Sequence, residues 1–254
     1  MRKVTIIPYV VAAFVAGACG DKHSQSSDAN AAEVTVSPEA SSVSTPTGPA
    51  PAGTVTFDGA QGAYTEKRYD EAVRLFTSYT SEHPDNVWGF YMLGLSAWKT
   101  GDRDAAVRAF TRALEKDSAH VKSHLNLSRV LIEQGKAQEA LPYVEAALKI
   151  DSTSNEIYRV LGRVKGELGD STGAIEALKR AIVLDERDAR SMNNLARVYI
   201  GQGRFEDALG PLARAIEIDS TVAAFHTNLG RALERTADRS SLAEAFVEQV
   251  KGWR

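Results

Sequence analysis

The sequence of 254 residues has a single cysteine, Cys19, so no disulfide can form within the chain. Aromatic residues make up only 7% of it and charged residues 25%, which indicates a globular, soluble chain. Basic residues are not in excess, because 30 lysines and arginines stand against 33 acidic residues and give a formal net charge of −3. This mild acidity gives no support for nucleic-acid binding, and we expect no nucleic-acid partner.

Residue patterns that would support catalysis or hold a metal are also lacking. His120 and His124 are four residues apart, which suits two ligands on one helix, but no third ligand falls at a completing spacing. Gly201 and Gly203 do not form a dinucleotide fingerprint, and no nucleophile triad is recognisable. We therefore predict a protein that is not an enzyme and that needs neither a metal nor another cofactor.

The sequence has instead an internal repeat of 34 residues, without insertions, whose first unit starts at Gly53. Alanine recurs at its twentieth place and glycine at its fifteenth, where Lys67 is the exception in the first unit. These residues are Ala72, Ala106, Ala140, Ala174 and Ala208, and Gly101, Gly135, Gly169 and Gly203. Small residues let two helices approach closely and glycine ends a helix, so this period predicts stacked two-helix units.

The repeat resembles the tetratricopeptide repeat family, and the stretch LGLSAWKTGDRDAAVRAFTRALEKD is close to the family consensus. The resemblance implies an all-α fold, a right-handed α-solenoid of about six helix-turn-helix repeats over residues 53–254. The last repeat is degenerate, with residues 242–250 as its closing helix. Pro142 and Pro211 fall inside predicted second helices, where each should remove a backbone hydrogen bond or bend the helix without shifting the frame.

The first 52 residues have a different composition from the repeats. Residues 1–18 combine a basic start with an apolar run and end in small residues, which predicts a signal peptide. The junction with Cys19 resembles a bacterial lipoprotein lipobox, although Ala16 replaces the usual leucine. We expect a lipidated Cys19; the alternative is ordinary cleavage that yields a soluble exported protein.

The segment that follows the predicted cleavage site is rich in serine, alanine, threonine and proline. Residues 19–52 are therefore predicted to be a disordered tether that begins with the acylated cysteine. By the resemblance to lipoproteins, Gly20 in place of an aspartate after Cys19 favours an outer-membrane address, with the repeats facing the periplasm.

In the tetratricopeptide family the first helices line a concave groove, and we carry that surface over place by place. The ninth place holds arginine in four successive units and would form a ladder, with asparagines and further arginines beside it. The predicted cationic part comprises Arg129, Arg163, Arg197, Arg231, Asn126, Asn193, Asn194, Asn228, Arg159 and Arg190. The predicted apolar part, toward the N-terminus, includes Tyr64, Trp88, Tyr91 and Trp98.

Such a groove would fit an extended peptide with apolar anchors and acidic groups. A plainer interpretation is that the arginines only solvate the surface or pair along their own helices with Glu133, Glu167 or Glu234, and that the aromatic side chains pack between repeats. Both interpretations are compatible with the spacing alone.

Together these features predict a non-catalytic protein–protein interaction scaffold, tethered to the bacterial envelope, that binds partner segments in its groove. The expected partners are a protein or peptide and, through acylated Cys19, the membrane; no oligomeric state is predicted. By resemblance, a narrower alternative is an auxiliary lipoprotein for type IV pilus or secretin assembly. An alternative from another class is an accessory subunit of an envelope enzyme, such as one acting on peptidoglycan.

Overall fold

A computed structural model describes residues 55–236, which form eleven α-helices and no strand. The first helices of successive repeats are α1 (Phe57–Thr65), α3 (Val87–Thr100), α5 (Val121–Glu133), α7 (Asn155–Glu167), α9 (Ala189–Gly201) and α11 (Ala223–Arg235). The second helices are α2 (Tyr69–Glu82), α4 (Arg103–Lys116), α6 (Ala137–Ile150), α8 (Ser171–Leu184) and α10 (Phe205–Ile218). From α2 onward each helix begins 34 residues before its equivalent in the next repeat, as the sequence predicts.

Several sequence-based predictions lie outside the described residues. These are the signal peptide at 1–18, the lipidated Cys19, the tether at 19–52 and the closing helix at 242–250. The sixth repeat is therefore described by its first helix, α11.

The turn between the two helices of each repeat is made by a residue with left-handed backbone conformation. Gly101, Gly135, Gly169 and Gly203 have φ between 72° and 87°, a region that glycine enters without a Cβ clash. Lys67 occupies the same place in the first repeat with φ 62°. The predicted role of the fifteenth place is confirmed, including in the repeat that lacks the glycine.

Close approach of the two helices explains the small residues of the repeat. The five alanines at the twentieth place are 0% exposed. A Cβ added to Gly94 would lie 2.6 Å from the Phe110 ring, and one added to Gly162 would lie 2.5 Å from Leu178 Cγ. The second and fourth repeats therefore pack a large side chain of the second helix directly against the backbone of the first helix.

The first helices lie on the inner side of the array. Each contacts the first helix of the next repeat, whereas no two second helices among the described residues make comparable contacts. Because the first helices are closer together, the stack curves around them, and their free faces form a concave surface. The prediction of an all-α solenoid is confirmed.

The two prolines do not interrupt the repeat frame. Pro142 lies inside α6 and Pro211 inside α10. Both helices are 14 residues long, the same length as α4 and α8. Each proline removes one backbone donor from its helix, but packing on both sides holds the helix in register. None of the helices between residues 55 and 236 has the length and apolar composition needed to cross a membrane.

Candidate functional site

Hydrogen bonds join part of the predicted cationic groove across successive repeats. Asn126 of α5 donates from Nδ2 to Tyr91 Oη of α3 at 3.1 Å, and its Oδ1 accepts from Arg129 Nη1 at 2.9 Å. Arg129 Nη2 also donates to Glu156 Oε1 of α7 at 2.6 Å. Burial alone would raise the pKa of the Glu156 carboxyl, but Arg129, and then Arg159, hold it below its usual value.

The same series of contacts continues from α7 to α9. Arg159 Nη1 lies 2.9 Å from both carboxylate oxygens of Asp188, and the Arg159 and Asp188 side chains are 14% and 4% exposed. Asp188 also caps α9 by accepting from Ser191 N at 3.0 Å and from Ser191 Oγ at 2.6 Å. We call this series the polar chain; its members are Tyr91, Asn126, Arg129, Glu156, Arg159, Asp188 and Ser191.

The polar chain changes the predicted arginine ladder. Arg129 is paired with Glu156 of the next repeat, and not with Glu133 as the plainer interpretation had it. Arg159 is paired with Asp188, which caps α9, and at 3.5 Å with Glu156 of its own helix. Sequence reasoning missed Glu156 and Asp188 as partners. A signal was present for Glu156, because it is the acidic residue at a place that holds lysine or arginine in the repeats on either side.

Two of the predicted asparagines are paired with each other. Asn228 of α11 donates from Nδ2 to Asn193 Oδ1 of α9 at 2.8 Å, and both side chains are buried. This bond links the fifth and sixth repeats in the way that Asn126 links the second and third. Asn126, Asn193 and Asn228 thus join helices to one another.

The remaining predicted polar residues have no partner within residues 55–236. Arg163, Asn194 and Arg197 make no side-chain hydrogen bond or ion pair there, and neither do Arg190 and Arg231. Arg163 is half-buried, and its pKa is lowered first by that burial and then by the charges of Arg197 and Arg129. Burial followed by the charge of Arg159 likewise lowers the pKa of Arg190. Glu167 and Glu133 act on the pKa of Arg163 in the opposite direction, so the positive charge of this stretch is offset only in part.

A cleft of about 290 Å³ opens between α7 and α9 at these residues, and we call it the α7–α9 cleft. Three of the unpartnered polar residues line it, together with glycines and aliphatic side chains. The lining consists of Gly162, Arg163, Gly166, Glu167, Ser171, Leu178, Asn194, Arg197, Val198 and Gly201.

The predicted aromatic part of the groove is largely used in packing. Tyr91 is 4% exposed, and Trp98 Nε1 donates to Glu133 Oε2 at 2.9 Å. Tyr64 is half-buried, packs edge-on against Tyr69, and has its pKa raised to about 12 by burial. Of the four predicted aromatic residues, Trp88 alone is exposed, at 42%, with Lys122 Nζ 5.2 Å from its ring centroid.

The two histidines noted in the sequence have structural contacts. His120 precedes α5, and its Nδ1 lies 2.7 Å from Ser123 Oγ, while burial lowers the pKa of its imidazole. His124 Nε2 lies 2.9 Å from the Ser118 carbonyl oxygen. Across the described part of the chain, no three His, Cys, Asp or Glu side chains are grouped so that they could hold a metal.

Solved structures of repeat proteins are similar to this array over most of their own length. MamA from Desulfovibrio magneticus is 19% identical with a TM-score of 0.59, covering 65% of this chain and 94% of that chain. A thermophilic tetratricopeptide protein of Thermus thermophilus is 22% identical with a TM-score of 0.58, covering 69% and 95%.

A third similar structure is YrrB, a tetratricopeptide protein described as having an unusual peptide-binding site. It is 18% identical with a TM-score of 0.55, covering 67% of this chain and 88% of that chain. At these identities the likeness shows a common fold. No curated protein matches the sequence significantly.

The sequence profile of the tetratricopeptide repeat matches two stretches, residues 91–155 and 159–223. Together they span just over half of the chain, and they coincide with α3 to α10, where the frame is most regular. A fold of this kind typically serves protein–protein interaction and is typically not catalytic. The chain belongs to the tetratricopeptide repeat family.

Proposed function

We propose that this protein is a non-catalytic scaffold that binds an acidic segment of a partner protein on its concave surface. One observation supports the proposal above all. Arg163, Asn194 and Arg197 make no side-chain hydrogen bond or ion pair among the described residues, whereas the polar chain and the Asn193–Asn228 pair on the same surface are bonded internally. A carboxylate would supply the charge that this stretch lacks.

The chemistry of the three side chains suits a peptide. A guanidinium binds a carboxylate through two parallel hydrogen bonds, and Arg163 and Arg197 lie on neighbouring helices facing one cleft. Asn194 can donate to a peptide carbonyl and accept from a peptide N–H. The concave surface therefore offers charge recognition at one point and backbone recognition beside it.

The proposal also places the protein in the bacterial envelope, as a lipoprotein of the outer membrane that faces the periplasm. The support comes from sequence: a signal-like segment at 1–18, Cys19 directly after it, and a polar tether to residue 52. Acyl chains on Cys19 would anchor the protein to the membrane. Labelled palmitate should enter the native chain and not a Cys19→Ser variant; equal labelling would disprove this anchor.

Affinity capture from bacterial envelope extract tests the binding proposal. The full chain should retain a partner that is lost when Arg163 and Arg197 are both changed to Gln, because the carboxylate then has no cation. Arg108 and Arg180, exposed on second helices, provide a matched control: changing both to Gln removes the same charge elsewhere and should leave capture intact.

Equal capture by the native chain and by the Arg163→Gln, Arg197→Gln variant would contradict the groove proposal. Retention of peptidoglycan strands rather than a protein would favour the accessory-subunit alternative, since exposed Trp88 is the side chain most suited to stack on a sugar.

A further inference from the structure

The α7–α9 cleft exists because one repeat departs from the others at its twelfth place. That place holds a glycine in the fourth repeat alone, whereas the other repeats place there Tyr64, Trp98, Ile132, Ile200 and Glu234. A Cβ built on Gly166 would lie 3.8 Å from Val198 Cγ2 and 3.9 Å from Ala174 Cβ, which is ordinary contact. Packing of α7 therefore does not require a glycine here, and the missing side chain leaves open volume.

The second glycine of α7 in the cleft has a different role. Gly162 is needed for packing, because Leu178 Cγ would lie 2.5 Å from its Cβ. Leu178 thus lies against the α7 backbone and is 0% exposed, while Val198 presents a half-buried aliphatic side chain to the cleft. Gly162 is therefore required for helix packing, whereas Gly166 is not and leaves space in the cleft.

The size and the lining of the cleft define what it can hold. Its volume of about 290 Å³ is at the lower limit of small-molecule pockets, which suits a single side chain of a larger partner. Two arginines against one acid, Glu167, leave its lining net positive. An aliphatic wall beside unpartnered guanidinium groups is complementary to an aliphatic group that has a carboxylate close to it.

We infer that the α7–α9 cleft is a specificity subsite for an internal acidic segment of the partner: one aliphatic side chain enters the space left by Gly166, and a neighbouring carboxylate binds Arg163 and Arg197. The inference rests on the proposed function, because it names what the groove selects. It differs from the general groove of the family in depending on a glycine that the other repeats of this chain lack.

Selection from a library of random peptides displayed between constant flanks tests the inference with the purified full chain. Bound peptides should be enriched in an aliphatic residue next to Asp or Glu. A Gly166→Ile variant, which copies the side chain at the same place of the third and fifth repeats, should bind the selected peptides at least about tenfold more weakly. The Arg163→Gln, Arg197→Gln variant should lose the acidic preference and keep the aliphatic one.

Gly166→Ala provides the control for folding. Its Cβ fits at ordinary contact distance, so the variant should fold and shift selection from leucine toward smaller aliphatic residues. Circular dichroism and thermal unfolding would confirm that each variant is native.

Three results would overturn the inference. Native and Gly166→Ile chains with the same selected motif would show that the groove binds peptides elsewhere, which leaves the proposed function intact. A second library would display random peptides with free C-termini. Binders found only in that library would show that the cleft binds the C-terminal carboxylate of a partner and not an internal segment. No binders in either library would remove the proposed function together with the inference.

Discussion

Backbone conformation at one place sets the turn of the first five repeats. Four glycines adopt positive φ there without cost, and Lys67 adopts it with a Cβ that clashes in the left-handed region. The first repeat therefore retains a locally unfavourable residue that its neighbours avoid. Tertiary packing of α1 and α2 against α3 holds it in place.

Lys67→Gly should raise the free energy of unfolding by about 1 kcal/mol, because glycine removes the Cβ clash at φ 62°. Urea unfolding followed by circular dichroism measures the change. Lys67→Ala is the control: it removes the charge and keeps the Cβ, so it should bring no comparable gain. Equal stabilisation by both variants would mean that charge, not backbone conformation, determines the effect.

Helices of neighbouring repeats are joined by polar contacts of very different burial. Arg159 and Asp188 join α7 to α9 with side chains 14% and 4% exposed. Lys116 and Asp85 also join two repeats, but the Asp85 side chain is 88% exposed to solvent. A buried pair leaves an uncompensated charge when it is broken, whereas water replaces the partner of an exposed one.

Asp188→Ala should lower the free energy of unfolding by about 3 kcal/mol, because it leaves the Arg159 guanidinium buried with only the 3.5 Å contact to Glu156 and also removes the cap of α9. Thermal and urea unfolding measure the loss. Asp85→Ala should leave the unfolding midpoint nearly unchanged. Asp102→Ala removes only a helix cap, the bond from Ala105 N to Asp102 Oδ1, and should cost about 1 kcal/mol. If Asp188→Ala lowers the free energy of unfolding no more than Asp102→Ala does, Asp188 contributes only as a helix cap.

Across the whole array, the buried apolar residues form two clusters that meet in α8. One cluster extends from Ala60 to Ala177, and the other begins at Leu178 and extends to Ala232. The α7–α9 cleft lies near this boundary, with Leu178 among its lining residues. The bond between Arg159 and Asp188 joins α7 to α9 across the same boundary.

Native-state hydrogen exchange should therefore show two units that open separately. Amides of α9 to α11 should open together, and those of α3 to α6 should open at a higher free energy, because α3 to α6 belong to the larger of the two buried clusters. Asp188→Ala should lower the protection of α9 to α11 more than that of α3 to α6. A uniform loss along the chain would mean that the array unfolds as one unit.

The fold could be predicted from the sequence because it depends on repeated local features. Alanine at the helix crossing occurs in all five units and glycine at the turn in four of them, so the units confirm one another. The groove could be predicted only in outline. Which arginines are free depends on how side chains of different repeats meet, and that depends on the angle between helices.

Tyr91 shows the same limit for the aromatic part of the groove. Its place in the repeat predicts a groove residue, but its ring is buried beside Phe110 and His120 and its hydroxyl accepts from Asn126. Arg129 and Arg163 share one place, yet one is paired and the other is not, because Glu156 lies next to the first. The place of a residue in the repeat determines which way its side chain points. The neighbouring side chains determine whether it is free to bind a partner.

The absence of any insertion between units from α2 to α11 also has an evolutionary consequence. Because the helix bounds repeat at a constant spacing, a duplicated or deleted unit would lengthen or shorten the groove and leave the remaining interfaces unchanged. A single place can meanwhile differ in one unit, as Gly166 does at the twelfth place of the fourth repeat. The spacing of the units is therefore conserved along the chain, while the residues that face the groove can differ from one unit to the next.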